Sequence, residues 1–226
     1  VEKMSDYKQR VFDHYPKVKP NIFALSDGII KTYRGVGIPD KNLFLTPNGL
    51  DIDAYTFTET PVYPDRSICI GKIEDRKKQY FLQGVDSLWF AGNIADSRFD
   101  QSKNYLGELP KTKIKTDLTD YGNLVLVSDG EVHPRVCTEA LAAGLGVVVS
   151  ECGIANLDLS KDFITVIPDT KINDIEYIEK HVIMNREYSI NHRQEIRDYA
   201  REFDWPEIFD KFYFPSIKEV IDEKLS

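Results

Sequence analysis

Two acids and two lysines carry most of the chemistry this sequence can offer. Glu131 and Glu139 are separated by seven residues; Glu131 follows an apolar run, and Glu139 opens a stretch of small and apolar residues, 140–149. An acid in the loop after a strand and a second a turn or so into the next helix both point toward the carboxyl ends of the strands. Open α/β sheets bind ligands there. Carboxylates in that place suit the hydroxyls of a sugar and a ribose, since each accepts paired hydrogen bonds. Between them Pro134, Arg135 and Val136 open the expected helix, whose free N–H groups and positive dipole end would face a diphosphate. Taken alone, the pair fits equally a solvated Glu131 and a Glu139 in a capping turn. Upstream, Gly71 and Lys72 follow an apolar run and Lys77 comes five residues later. Both lysines can reach back over a strand end as point charges for a phosphate. With Glu74, Asp75 and Arg76 between them, the same stretch also reads as a charged, solvated turn.

The elements that must position these groups alternate along the chain. Residues 67–71 form a continuous apolar run, as a strand covered on both faces requires. A helix over 77–83, a strand over 87–92, a brief strand over 105–107 and a helix over 114–121 follow. Then come a strand over 123–127, a helix over 134–143, and strands over 147–150 and 163–167. Upstream lie a strand at 21–25, a helix at 28–34 and a strand at 42–46; residues 56–66, with Pro61 and Pro64, read as a linker. Residues 172–202 are largely helical, and 205–225 hold one or two more helices. Alternation at this spacing means βαβ units, a doubly wound, mostly parallel Rossmann-like sheet with helices on both faces and extra carboxyl-terminal helices.

Composition narrows the function classes. The 226 residues are 42% hydrophobic and 29% charged, with a formal net charge of -8. That suits a globular α/β chain and argues against nucleic acid as a partner, because no basic run offsets the acidity. No apolar stretch approaches the ~20 residues of a membrane span, and residues 1–4 show no signal-peptide pattern. Cys69, Cys137 and Cys152 are odd in number, fit no zinc spacing and read as buried free thiols in a reducing compartment. His133 is the one base near Cys137 in sequence, a weak case for a catalytic thiol. The expected location is the cytoplasm, free or peripheral to a membrane.

Several blocks occur together in order: Asn48-Gly49-Leu50-Asp51; Gly71-Lys72 with Lys77; Leu88 to Gly92; Leu106-Gly107-Glu108-Leu109; and Val127-Ser128 through Glu131, Glu139 and Gly144 to Ser150. In this order they resemble the carboxyl-terminal, donor-binding half of GT-B glycosyltransferases of the family 4 (group 1) type. The resemblance runs from about Ser26 to Trp205, and the paired-glutamate block is its most specific part. It implies that Glu131 lies beside the donor hexose hydroxyls and Glu139 holds the ribose. It also implies that Lys72 and Lys77 neutralise the donor diphosphate, that Leu109 lines the base, and that the amides around 133–136 face the phosphates. Lys72 replaces an Arg and loses its forked contact; Gly146 stands where Pro is usual and Lys78 where Gly is usual, both read as structural.

The resemblance implies a retaining transfer of a sugar from a nucleotide diphosphate sugar to a glycan, lipid or protein hydroxyl, with no metal or other cofactor. Residues 1–55 then correspond to the remnant of an acceptor-side domain, 56–66 to a linker, 67–204 to the nucleotide-sugar domain and 205–226 to carboxyl-terminal helices. The rest of the acceptor-binding domain is expected to be missing or separate. A non-catalytic nucleotide-sugar-binding module and an unrelated doubly wound sensor or scaffold are the competing readings.

Overall fold

A computed structural model describes residues 6–225; the reading of residues 1–4 lies outside them. The chain begins with α1 (Asp6–Val18) and a small unit in which β1 (Ile22–Ala24) and β2 (Leu43–Leu45) pair in parallel, joined by the crossover helix α2 (Asp27–Gly35). The main sheet then follows. Its strands are β3 (Tyr63–Ile70), β4 (Leu88–Ala91), β5 (Tyr121–Leu126), β6 (Gly146–Ser150) and β7 (Ile164–Ile167), all parallel, in the order β4-β3-β5-β6-β7. A single parallel bridge from Phe90 to Tyr105 extends the β4 edge. Counting that bridge as an edge strand gives the doubly wound Rossmann order, whose direction of winding reverses between β3 and β5.

Both faces of the sheet are dry, and strict alternation along the strands explains why. Ile68, Ile70, Leu124, Leu126, Val147 and Val149 point to one face; there they pack on Cys137, Ala140 and Leu141 of α5 (Arg135–Ala142) and on Ile196 and Ala200 of α7 (Arg193–Ala200). Cys69, Val125, Val127 and Val148 point to the other face, against Ile178 and Val182 of α6 (Ile175–Asn191) and Leu82 of α3 (Gln79–Leu82). Every residue of β5 and β6 is buried. Such strands have no solvent face to keep polar, so they read as continuous apolar runs.

The chain crosses between the small unit and the main sheet twice, and the crossings are tied together. Leu50 N–H donates to the Phe203 carbonyl at 2.8 Å, and Trp205 N–H donates to the Leu50 carbonyl at 3.1 Å. Beyond this seam lie α8 (Trp205–Ile208), a π-turn segment (Phe209–Tyr213) and α9 (Phe214–Leu225). Lys41 on the small unit pairs with Glu223 on α9.

The structure departs from the expected elements in a few places. Residues 63–66, expected in the linker, belong to β3; a register irregularity between Tyr63 and Ser67 lets Pro64 sit there, and Arg66 stacks on Tyr63 and Trp89 at 4.3 and 4.5 Å. The helix expected over 77–83 is shorter: a 3-10 turn (Asp75–Lys77) comes first, and Lys78, at φ 52°, separates it from α3. A left-handed position explains the usual glycine there. The helix expected over 114–121 is α4 (Lys111–Asp117) with a 3-10 turn, and Tyr121 already starts β5. The strand at 105–107 is only the Tyr105 bridge. The helical stretch 172–202 is broken at His192 into α6 and α7, and α1 had no counterpart in the expected elements.

Candidate functional site

The rim at the carboxyl ends of β3, β4 and β5 is shaped by two glycines. Gly71 ends β3 at φ 147° and Gly92 ends β4 at φ 149°, conformations that side-chain-bearing residues rarely adopt. A Cβ on Gly92 would overlap the Gly71 carbonyl, so the two strand ends touch backbone to backbone. This leaves a crevice of about 300 Å³, bordered by Gly71, Lys72, Gly92, Asn93, Glu108 and Leu109 and floored by Ile70, Ala91 and Ile114. Tyr105 supports its far wall, its hydroxyl donating to the Gly92 carbonyl at 2.8 Å.

The charged groups gather where β3 and β5 part. Lys77 Nζ stands 3.6 Å from Glu131 Oε1, with both side chains mostly buried, 14% and 13% exposed. Lys77 lies directly over Gly71: a Cβ there would meet its Nζ at 3.0 Å. Arg76 completes the cluster, Nη1 donating to Glu131 Oε1 at 3.0 Å and Nη2 to Glu74 Oε1 at 2.8 Å. Hydrogen bonding to Arg76 holds the Glu74 carboxyl below its usual range. Lys72 is exposed on the crevice lip, 3.6 Å from Glu74.

Glu139 approaches from α5. That helix begins after Pro134, which has no N–H to satisfy, so Arg135 and Val136 present the first free amides. Its far end is fixed firmly: Gly144 at φ 79° turns the chain, Arg193 Nη2 donates to the Ala143 carbonyl at 3.1 Å, and Arg197 donates to the Ala142 carbonyl. Two guanidiniums at the negative end of the dipole fix the axis that aims the other end at the rim. Glu139 is half-buried beside Tyr55, and burial raises its carboxyl pKa, against the lowering pull of a Tyr55 hydrogen bond and of Arg135, Lys111 and Lys115. Glu131, Lys77 and Glu139 all act electrostatically on the buried Cys137 thiol. Pro134 is buried, Arg135 is exposed, and the Val136 side chain packs into the core, so only its amide faces outward chemistry.

Two of the three thiols are shut away from solvent. Cys69 and Cys137 are buried and free, and burial pushes Cys69 up to about 12 and Cys137 higher still; Cys152 is half-buried rather than buried. His133 serves a different end from thiol activation: its Nδ1 accepts the Asn48 N–H at 3.3 Å, joining the β5 loop to the crossing from the small unit. Burial and Arg135 lower its pKa. Sequence reasoning passed over Arg76 and Tyr55. Arg76 lay inside the block already singled out, and only its four-way contacts in space mark it; Tyr55 has no motif around it.

Neither a family model nor a curated protein matches the sequence. Solved structures do match, and they define the fold class: GT-B glycosyltransferases, with which the chain shares its architecture over almost its whole length. Anabaena Alr3699/HepE, solved in complex with UDP and glucose, superposes with a TM-score of 0.74 at 14% identity, covering 98% of this chain and 68% of HepE. Sucrose-phosphate synthase (tll1590) from Thermosynechococcus elongatus matches with a TM-score of 0.73 at 12% identity, over 99% of this chain and 64% of the synthase. The lipopolysaccharide outer core galactosyltransferase WaaB, in its apo form, matches with a TM-score of 0.64 at 16% identity, over 89% and 61%. The chain therefore has the fold of a carboxyl-terminal GT-B half and spans about two thirds of these proteins. No helix among the described residues is long and apolar enough to cross a membrane.

Proposed function

We propose that this chain binds a nucleotide diphosphate sugar at the β3–β5 rim and is the donor-binding half of a retaining glycosyltransferase. What supports the reading is the Lys77–Glu131 pair at the switch point of the sheet, with Lys77 over Gly71 at the lip of a crevice with an apolar floor and α5 starting at Arg135, shortly after Glu131 in the chain. In this reading the base enters the crevice against Leu109, and Glu139 accepts from the ribose hydroxyls. The diphosphate lies between Lys77, Lys72 and the amides of Arg135 and Val136, and Glu131 accepts from the hexose.

Charge that builds on the departing diphosphate as the sugar leaves is met by the lysines and the helix end, so these residues stabilise the transition state electrostatically. Arrangements of this kind act by positioning and need no covalent intermediate. The acceptor hydroxyl of a glycan, lipid or protein would be presented by an acceptor-binding domain, residues 6–55 being its adjoining part, residues 56–62 the link and residues 63–204 the donor domain.

A second reading is a module that binds a sugar nucleotide and turns it over only with a partner domain. Calorimetry with UDP, GDP and ADP, followed by donor hydrolysis and transfer assays on the same chain, separates them. Binding with turnover supports the transferase, binding without turnover the module, and no binding of any of the three defeats both.

A further inference from the structure

Arg76 joins the two lips of the site. Its Nη1 donates to Glu131 Oε1 at 3.0 Å, to Ser128 Oγ at 3.2 Å and to the Gly130 carbonyl, while Nη2 holds Glu74 at 2.8 Å. The backbone closes the same seam, Asp129 N–H donating to the Arg76 carbonyl at 2.8 Å. A guanidinium offers five donors in a rigid fork, and here it is engaged from two loops at once. Its planar fork thus spans both loops.

Lys77 is held differently. It approaches the same Glu131 oxygen only at 3.6 Å, within ion-pair range but beyond a hydrogen bond. A mostly buried carboxylate needs a cation close by. If Lys77 were the sole candidate, its flexible ammonium would be drawn onto Glu131 and away from any phosphate. With Arg76 supplying the hydrogen-bonded partner, that demand is met by a group already bonded on both loops.

Resting on the reading of this rim as a sugar-nucleotide site, we propose that Arg76 is a positioning residue: it neutralises Glu131 so that Lys77 stays available to the diphosphate. Arg76 touches neither donor nor acceptor in this assignment. Its effect on phosphate binding passes through Glu131 and Lys77.

The test is a mutant cycle on the full chain, read by calorimetry with whichever of UDP, GDP and ADP the wild type binds. R76Q weakens the diphosphate by roughly tenfold, the scale of one charge-assisted hydrogen bond, because Lys77 moves onto the carboxylate. R76Q/E131Q restores affinity to within about twofold of E131Q, since the neutral amide that replaces the carboxylate has no claim on Lys77, the pair being coupled rather than additive. R76K, which keeps the charge and loses the fork, falls between wild type and R76Q. A double variant as weak as R76Q overturns the proposal, because Arg76 would then be contacting phosphate or holding the fold. Unchanged binding in R76Q overturns it too. A wild type that binds none of the three nucleotides removes the site itself, and the inference with it.

Discussion

Replacing Lys77 with Ala tests the electrostatic half of the site. In the resting chain its ammonium faces Glu131 at 3.6 Å with only 14% of the side chain exposed. At an effective dielectric of ~20, a unit charge about 4 Å from a phosphate oxygen gains ~4 kcal/mol. Some of that is offset by loosening the Glu131 pair, yet Glu131 keeps its 3.0 Å bond to Arg76, so the compensation is partial. A net loss of ~2–3 kcal/mol is expected, which is about 30- to 150-fold in nucleoside diphosphate affinity. Calorimetry on wild type and K77A measures it directly, and thermal melts provide the control. Since Arg76 still neutralises the carboxylate, the melting temperature should shift by only a few degrees. K77A that binds within about threefold of wild type, with an unchanged melt, would remove Lys77 from the phosphate site; weaker binding that merely tracks a collapsed melt would do the same.

Three further outcomes follow from the same geometry. Burial raises the Glu139 pKa; the ionised form accepts from ribose, so affinity should be full at neutral pH and fall as pH drops through a point above the ordinary ~4.3 of a glutamate. E139Q should bind weakly and without that pH dependence, measured as Kd across pH 4 to 8. G92A drives a Cβ into the Gly71 carbonyl at a φ of 149°, and should cost ~3 kcal/mol or more, seen as a fall of roughly 6–12 °C in Tm. Arg193 is buried and donates to the Thr58, Thr119, Tyr121 and Ala143 carbonyls at 2.7, 2.6, 3.0 and 3.1 Å. R193M should therefore lose ~3–5 kcal/mol in urea unfolding, by orphaning several buried acceptors at once.

What could be read from the residues follows physical lines. β5 and β6 are covered on both faces, so their apolar runs stand out in any window, and β3 announces itself from Ser67 onward. Gly71, Gly92 and Gly144 are legible because only glycine suits their backbone. Glu131 and Glu139 are legible because a loop and one helical turn fix their spacing. The first half of β3 was hidden because Pro64 and Arg66 look like linker, and a stacked arginine between Tyr63 and Trp89 leaves no periodic trace. α3 was overextended because a lysine at φ 52° does not advertise a break. Arg76 and Tyr55 were missed for another reason: their partners, Glu131 and Glu139, lie 55 and 84 positions away in the chain. His181 and His192 are half-buried and stack on Tyr177 and Tyr188 at 4.0 and 3.9 Å, one helical turn before each.

A crystal of the chain soaked in turn with UDP, GDP and ADP would decide whether the rim is a sugar-nucleotide site. Density is expected for one of them with its base against Leu109, its ribose within hydrogen-bond distance of Glu139 and its phosphates between Lys77 and the start of α5. A nucleotide bound elsewhere, with Lys77 and Glu131 still paired and the crevice by Gly71 and Gly92 untouched, would contradict the assignment.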